Sequence, residues 1–186
     1  MKELDMQTTN FMNCESVQLL PMQSSDITEA YIRWLNDREL MKYSNQRHMN
    51  HTRSSSENYL NSFDQNSSLI FKIVAEKEMI GTLSISLDKH NLVGVMGILI
   101  GREYGGLGLG GKAWNRAIEI SFGELGLRKV KAGTAACNLA MKRIFEKSNM
   151  SFEANLRSDL LIEGSPQDLH IYSKFRSSFV TQVETV

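Results

Sequence analysis

The chain has 186 residues, of which 41% are hydrophobic and 23% are charged. This length is enough for one hydrophobic core and the composition is ordinary for a globular protein, so we predict a single domain. Lys and Arg together number 21, and so do Asp and Glu. Because no net charge results, the chain has no overall field that would attract nucleic acid or an acidic membrane surface, and we expect neither as a partner.

The N-terminal residues, the cysteines and the histidines bear on cellular location, disulfide bonds and metal sites. Residues 1–15 lack the continuous apolar stretch of a secretory signal, so we expect a cytoplasmic protein with a flexible leader at 1–15, a domain at 16–178 and a flexible tail at 179–186. Cys14 and Cys137 lie in different contexts, so no disulfide is expected. No CxxC or HxxH spacing occurs and the four histidines are scattered, so we predict no metal site.

Hydrophobic periodicity predicts the elements in chain order. A strand is followed by one or two helices and by a helix whose start is marked by Ser54 and Ser55 near Glu57. An antiparallel hairpin and a buried strand come next, and Gly164 and Pro166 punctuate a final hairpin. These elements predict a mixed sheet with helices on both faces. The expected strands are 16–22, 69–75, 82–87, 92–100, 129–135, 152–162 and 168–176, and the expected helices lie within 27–43, 55–63, 113–125 and 139–148.

Residues 105–111 hold five of the 13 glycines, between the predicted strand at 92–100 and a helical pattern that begins near Ala113. Glycine has no side chain to block a close approach, and successive N–H groups at a helix N-terminus converge on an anion. An ordinary glycine-rich surface turn is the alternative. Because a strand precedes the loop and a helix follows it, we favour a site for a phosphate-bearing ligand.

Two familiar phosphate motifs overlap in this loop, and neither is complete. The GxGxxG spacing of dinucleotide-binding proteins is present at Gly106, Gly108 and Gly111, but the next strand-like run ends without the acidic residue that would hold a ribose. Residues 106–112 have the GxxxxGK spacing of nucleoside triphosphatases, but Ala113 occupies the place of the Ser or Thr hydroxyl that binds magnesium. Both ligand classes are therefore disfavoured.

A third pattern, Arg/Gln-x-x-Gly-x-Gly/Ala, falls on Gly105, Gly108 and Gly110. It resembles the acetyl-CoA pyrophosphate loop of the GCN5-related N-acetyltransferases, the GNAT superfamily. Gly105 departs from the pattern, because the family commonly carries Arg, Gln or an aromatic residue there. Since the family holds the pyrophosphate mainly through backbone N–H groups, binding is expected to survive. The resemblance implies an α/β (α+β) domain with a mixed, mostly antiparallel central sheet flanked by helices.

The resemblance continues into the next strand and helix, where Asn138 and Glu146 keep the superfamily pattern. Phe145 occupies the place where many members have a Tyr proposed to protonate the departing thiolate, so that acid is missing here. Asn138 fits equally well as a helix N-cap that touches no ligand.

The family implies acetyl-CoA as the acyl donor, without a metal. Its pantetheine would lie along the strand before the loop, where the backbone of Ile98 and Ile100 would pair with its amides as an added strand does. The predicted cofactor-binding residues are Ile98, Leu99, Ile100, Gly105, Gly106, Leu107, Gly108, Leu109, Gly110, Gly111, Lys112 and Asn138.

Residues 31–40, followed by Tyr43, Arg47 and Thr52, resemble a segment frequent in the ribosomal-protein-alanine acetyltransferase (RimJ/RimL)-like branch, which includes enzymes that acylate amino sugars. In the superfamily the corresponding helices cover the acceptor pocket. The resemblance therefore implies acceptor contacts from Trp34, Asn36, Tyr43 and Arg47. Trp34 also lies on the apolar face of an amphipathic helix, which favours a place in the core.

Acylation of an amine requires a proton acceptor, because amines are mostly protonated near neutral pH. The candidate catalytic residues are Asp88 and His90 after one strand, and His170 and Tyr172 on the last strand. Asp88 and His90 fit an ordinary polar turn better than a base, and Tyr172 also fits the core. Glu103, at the entrance of the glycine loop, is expected to point outward because it would repel a diphosphate.

These patterns together predict acyl-CoA-dependent N-acyltransfer, with acetyl as the group transferred, to a primary amine of a small molecule such as a free or nucleotide-linked amino sugar. A protein N-terminus, the acceptor that gives the branch its name, is the alternative acceptor. A non-catalytic acyl-CoA-binding domain is the second alternative, because Gly105 and Phe145 depart from the family pattern and no obvious base is present. A homodimer is left open.

Overall fold

The computed structural model describes residues 16–177. The leader predicted at 1–15 and the tail predicted at 179–186 lie outside the described residues, as does residue 178 at the end of the predicted domain.

The described part of the chain contains one seven-stranded sheet with the order β1-β2-β3-β4-β5-β7-β6. Every neighbouring pair is antiparallel except β4 and β5, which run parallel. The prediction of a mixed, mostly antiparallel sheet is therefore confirmed. The strands are Gln18–Pro21 (β1), Ser68–Ala75 (β2), Glu78–Asp88 (β3), Val93–Ile100 (β4), Lys129–Ala135 (β5), Ser151–Ile162 (β6) and Ser165–Phe175 (β7).

Helices cover both faces of this sheet. Thr28, Asp37, Thr52 and Asn138 each precede a helix and accept a hydrogen bond from a backbone N–H of its first turn, which is the preferred start of a helix. The helices are Glu29–Asn36 (α1), Arg38–Met41 (α2), Arg53–Asn61 (α3), Leu109–Gly123 (α4) and Leu139–Lys147 (α5), and short 3₁₀ helices span Ser24–Asp26, Asn45–His48 and Arg102–Tyr104.

Alternation along the strands gives the sheet two apolar faces. One face packs against α4 and α5 through side chains such as Ile73, Leu83 and Val130, with Trp114 and Phe145 filling the core from the helices. The other face packs against α1 and α2 through Ile70, Met79 and Leu99, where Tyr31 and Trp34 are buried. The sheet therefore separates two helical layers, as the predicted order of elements requires.

Element boundaries differ from the predicted ones where local hydrogen bonds decide them. Helix α3 begins at Arg53 because Thr52 and Ser55 form a reciprocal capping box, ahead of the predicted start at 55. Strand β3 begins at Glu78, because Glu76 and Lys77 both adopt positive φ angles and close a two-residue hairpin turn.

The parallel pair β4 and β5 remains in contact only at its beginning. Val93, Gly94 and Val95 face Lys129, Val130 and Lys131 in the register of the two strands. Beyond these positions β4 pairs only with β3, and β5 pairs only with β7. A wedge therefore opens within the sheet, from Met96 on one strand and Ala132 on the other.

Candidate functional site

A cleft of about 840 Å³ occupies this wedge and reaches both helical layers. Its centre is formed by the separated halves of the two strands, residues 96–100 of β4 and 132–134 of β5. Because no strand within residues 16–177 pairs there with the β4 edge that faces β5, the backbone of this edge can pair with an extended ligand. A smaller depression of about 430 Å³, beside Leu60 and Phe71, lies away from the glycine loop.

The glycine loop forms one end of the cleft and leads into the N-terminus of α4. Gly106 and Gly108 have φ angles of 77° and 79°, a conformation that side chains rarely adopt, and a Cβ at either position would meet open space. Gly108 is the N-cap of α4 and provides no side-chain hydrogen bond to the helix. The first N–H groups of this 15-residue helix are therefore left for an anion, which the helix dipole also favours.

Most of the predicted cofactor-binding residues line the cleft, namely Ile98, Leu99, Ile100, Gly105, Gly106, Gly108, Gly110, Gly111 and Asn138. Leu107, Leu109 and Lys112 are not among the lining residues. Leu109 is fully buried in the core under α4, and Leu107 packs against the same core. Leu107 and Leu109 therefore anchor the loop, while the glycines around them line the cleft.

Helix α5 completes this end of the cleft. Its N-cap Asn138 accepts from the N–H of Met141 at 3.3 Å and donates to Thr134 Oγ1 at 3.0 Å, which ties the helix to β5. One turn apart on the same helix, Arg143 and Lys147 line the cleft with exposed cationic groups. Neither residue was predicted from the sequence as part of the site. The i, i+4 spacing of two basic residues behind Asn138 is the pattern that could have revealed them.

We call the end of the cleft formed by the glycine loop, α4 and α5 the cofactor half, and the opposite end, beneath α1, α2 and α3, the acceptor half. The acceptor half is rich in neutral hydroxyl groups. Glu39 is the single carboxylate among the described residues that line the cleft, and His51 is the single imidazole. The hydroxyl groups belong to Tyr31, Tyr43, Ser44, Ser56, Tyr59, Thr82, Ser84 and Tyr104.

The phenol groups of this half all hold their protons firmly. Burial raises the pKa of Tyr31 to about 12 and, together with the neighbouring Glu78 carboxylate, that of Tyr104 to about 12. Burial also raises the pKa of Tyr59 and of Tyr43, and the adjacent thiol of Cys137 adds to the effect at Tyr43. These phenols are therefore hydrogen-bond donors at neutral pH.

Trp34 does not line the cleft. It is buried, with an exposed fraction of 5%, and its Nε1 donates to both carboxylate oxygens of Glu103, at 2.9 and 3.0 Å. Its ring packs against Tyr31 and Tyr104 and lies so close to Gly101 that a Cβ there would meet it at 2.5 Å. The structure thus places Trp34 in the core and draws Glu103 toward it.

Asn36 and Arg47 also lie outside the cleft lining, and both bind backbone groups instead. Asn36 accepts from the N–H of His51 at 2.9 Å and donates to its carbonyl at 2.7 Å. Arg47 donates to the carbonyl oxygens of Ser44 and Leu161, at 2.7 and 2.8 Å. Of the four predicted acceptor-binding residues, only Tyr43 lines the cleft. The other three support the segment that carries the acceptor half.

The four predicted catalytic residues are not brought together. Asp88 and His90 lie exposed at the β3–β4 turn, beside the paired beginnings of β4 and β5 and outside the cleft lining. Asn91 donates two hydrogen bonds to Asp88, which lowers the pKa of its carboxyl. Asp88 therefore stabilises the turn, which is the other role that its sequence context allowed.

His170 and Tyr172 lie on β7, one strand behind the cleft, and neither lines it. Tyr172 is buried against Phe145 and Phe152, with ring centroids 4.9 and 5.6 Å away, and burial raises its pKa. His170 packs against Phe152 at 5.2 Å. The β6–β7 hairpin meets the acceptor half through its tip, where Lys42 pairs with Glu163 at 2.9 Å.

Two further features concern only residues 16–177. No three His, Cys, Asp or Glu side chains in this range gather as metal ligands would. None of the helices in this range is long and apolar enough to cross a membrane.

Comparison with known proteins identifies the family. Residues 16–151 match the family described as acetyltransferase (GNAT) domain, whereas no curated protein matches the chain. Similar solved structures include RimL, the ribosomal L7/L12 alpha-N-protein acetyltransferase, in complex with coenzyme A (12% identity over 87% of this chain and 94% of that one, TM-score 0.80). The spermidine N-acetyltransferase from Vibrio cholerae in complex with CoA and spermine is also similar (21% identity, 89% and 98%, 0.80).

A third similar structure is the microcin C7 self-immunity acetyltransferase MccE in complex with acetyl-CoA and AMP (20% identity, 89% and 94%, TM-score 0.76). At these identities the structures show a shared fold. The family match spans most of the chain, and the glycine loop, the parted strands and the seven-stranded sheet agree with it. The chain therefore belongs to the GNAT acetyltransferases, enzymes that transfer an acetyl group from acetyl-CoA to an amine.

Proposed function

We propose that this enzyme acetylates the primary amine of a small, hydroxyl-bearing acceptor, such as a free or nucleotide-linked amino sugar. The composition of the acceptor half carries the proposal, because among residues 16–177 its polar lining consists mainly of hydroxyl groups with Glu39 as the single carboxylate. Hydroxyl side chains match the hydroxyl groups of a sugar, and one carboxylate matches one ammonium group. The resemblance of residues 31–52 to the RimJ/RimL-like branch supports the same acceptor class.

The cofactor half fits acetyl-CoA as the acyl donor. The diphosphate would bind the free N–H groups at the start of α4, and Arg143 and Lys147 supply positive charge on the neighbouring helix. The pantetheine arm would run along the open edge of β4 past Ile98 and Ile100, so that the thioester reaches the point where the two strands part. No metal has a role in this proposal.

Phe145 excludes one way of protonating the departing thiolate. Its ring is fully buried between Trp114 and Tyr172, at 5.4 and 4.9 Å, so the position offers no hydroxyl. A thiol has an ordinary pKa of about 8.5 and leaves without full protonation. The missing tyrosine therefore does not prevent turnover.

Other acceptors fit the cleft less well. A polyamine carries several ammonium groups, and each buried charge needs a partner, whereas Glu39 is the one acidic side chain that the described part of the chain places in the lining. The structural neighbour MccE was solved in complex with acetyl-CoA and AMP, which supports a nucleotide-linked acceptor. A protein N-terminus remains the alternative acceptor. A cytoplasmic location and a homodimer remain predictions, which fractionation and sedimentation would test.

The acceptor class is tested by measuring release of free CoA thiol with four amines: an amino sugar, its nucleotide-linked form, spermidine and a peptide with a free N-terminus. We expect the highest kcat/KM with an amino sugar, at least about tenfold above spermidine, or about 1.4 kcal/mol. Highest turnover with spermidine or with the peptide would contradict the proposal. Binding of acetyl-CoA without thiol release for amines of every class would indicate a non-catalytic domain.

A further inference from the structure

Few groups in the acceptor half can accept a proton. The four phenols that line it have raised pKa values and stay protonated at neutral pH. The hydroxyl groups of serine and threonine are weaker bases still. Among the described lining residues this leaves Glu39 and His51. Neither was a candidate base in the sequence, where the histidines are scattered without a motif.

The hydrogen bonds of His51 define which ring nitrogen carries the proton. Its Nε2 lies 3.1 Å from the carbonyl oxygen of Gln46. A carbonyl oxygen only accepts hydrogen bonds, so in the neutral ring Nε2 holds the hydrogen and Nδ1 carries the lone pair. Within residues 16–177, Nδ1 has no hydrogen-bond partner and is not sealed from solvent. A free basic nitrogen therefore belongs to a side chain that lines the cleft.

The backbone of His51 is held at the same time. Asn36 bonds to its N–H and to its carbonyl group, and Thr52, the next residue, caps α3. The side chain is 7% exposed, so the imidazole has little freedom to reorient. A proton acceptor with a fixed tautomer and a fixed position is what general base catalysis requires.

We propose that His51 is the general base of the reaction, a role that rests on the amine acetyltransfer proposed above. Nδ1 takes one proton from the acceptor ammonium group and leaves a neutral amine. The amine nitrogen then forms a bond to the acetyl carbon, the carbon–sulfur bond breaks, and the second proton lost by nitrogen neutralises the CoA thiolate. His51 returns its proton to solvent after the products leave, so protons and bonds balance.

The Gln46 carbonyl accepts the hydrogen bond of Nε2 and holds the ring in place while Nδ1 takes up a proton. The ionisable groups that face the same half of the cleft are Tyr31 from α1, Glu39 and Tyr43 from the α2 segment, Tyr59 from α3 and Tyr104 from the loop. Glu39 alone carries charge among them at neutral pH, so it is placed to hold the acceptor ammonium while His51 deprotonates it.

The test compares His51→Gln and His51→Ala with His48→Ala as a matched control, because His48 is exposed and does not line the cleft. We expect kcat to fall about 100-fold or more in both His51 variants, the usual contribution of a general base, with unchanged acetyl-CoA affinity. The acidic limb of the pH–rate profile, where the rate falls as the base becomes protonated, should disappear, and added imidazole should restore part of the rate of His51→Ala. The profile is measured with two acceptors that differ in amine pKa, because a limb that belongs to the enzyme does not move with the pKa of the substrate.

Wild-type rates in the His51 variants would overturn the proposal, and so would a rate loss that keeps the wild-type pH profile and resists imidazole. Loss of the limb in Glu39→Gln, but not in His51→Gln, would assign the base to Glu39. Nitrogen-15 NMR of the wild-type protein tests the tautomer without any acceptor, and hydrogen on Nδ1 would overturn the proposal even where turnover is high. If no amine is acetylated, the proposed function fails, while the tautomer still decides whether Nδ1 is available as a base.

Discussion

The two halves of the cleft are built from different kinds of atoms. In the cofactor half, one continuous stretch of chain from β4 through the glycine loop into α4 offers backbone groups, and α5 adds side chains such as Arg143 and Lys147. The acceptor half consists of side chains from residues 31–59, which run through α1, α2, the 3₁₀ helix Asn45–His48 and α3, together with side chains from β3 and Tyr104. A backbone loop leaves a glycine pattern in the sequence, whereas tertiary packing decides which side chains of residues 31–59 face the cleft, and the sequence does not record that choice.

The largest predicted effect lies in the cofactor half. Gly111→Glu places a carboxylate in open space at the start of α4, where φ is compatible with a side chain. Repulsion from a diphosphate about 4 Å away costs about 4 kcal/mol at an effective dielectric constant of about 20, so acetyl-CoA affinity should fall at least roughly 100-fold. Calorimetry measures this change. Gly123→Glu, at the other end of the same helix and also in open space, is the control and should bind normally.

The second prediction tests whether Trp34 stabilises the fold or contacts the acceptor. Trp34→Phe removes the donor that binds both oxygens of Glu103, in a buried ring environment. We expect a loss of about 1–3 kcal/mol in the free energy of unfolding, measured by chemical denaturation. Acceptor KM should change by less than about threefold, because Trp34 does not line the cleft. A normal stability with a strongly raised acceptor KM would show that Trp34 contacts the acceptor.

The third prediction concerns a hydroxyl group in the acceptor half. Ser84 lines the cleft on β3, whereas Ser86, two residues along the same face of the strand, is exposed outside it. Ser84→Ala should raise the acceptor KM about 2- to 10-fold, the effect of one lost hydrogen bond, and leave acetyl-CoA affinity unchanged. Ser86→Ala should change neither constant. Equal effects of the two substitutions in steady-state kinetics would contradict the expectation that Ser84 binds the acceptor and Ser86 does not.

The smallest effect is expected at the ion pair that joins α2 to the loop after β4. Hydrogen bonds from Arg102 lower the pKa of Asp37 to about 2, from an ordinary value of 3.8. A depressed pKa stabilises the fold above pH 4, and that stability is lost as pH falls from about 4 to about 2. The Arg102 side chain is exposed, so solvent screens the pair and its contribution to stability is small. Unfolding of Asp37→Asn should therefore differ from wild type at pH 5 and converge with it near pH 2.

The sequence predicted the order of the elements, the mixed sheet and the glycine loop, because periodicity and backbone conformation are local properties. It could not show that β4 and β5 part after Val95, since no residue pattern records where two parallel strands stop pairing. The acceptor half shows the same limit. Asn36 and Arg47 resemble ligand-binding residues, yet their polar groups bind the backbone of His51 and Leu161, which only the tertiary structure brings near.

His51, in contrast, was not predicted as a site residue, yet it lines the cleft. Nothing in the sequence distinguishes it from His48 or His90, because its environment is created by Asn36 and Gln46 through contacts that follow from the fold. Arg143 and Lys147 are partly predictable, since their spacing on one helix face is visible in the sequence once the helix is known.

Amide hydrogen exchange with and without acetyl-CoA tests the division of the cleft most directly. We predict that acetyl-CoA slows exchange in peptides that cover residues 98–112, where the open edge of β4 and the start of α4 lie, and leaves peptides that cover residues 51–60 unchanged. An amine acceptor added with CoA should then slow exchange at 51–60. Protection by acetyl-CoA at 51–60 without protection at 98–112 would contradict the assignment of the two halves.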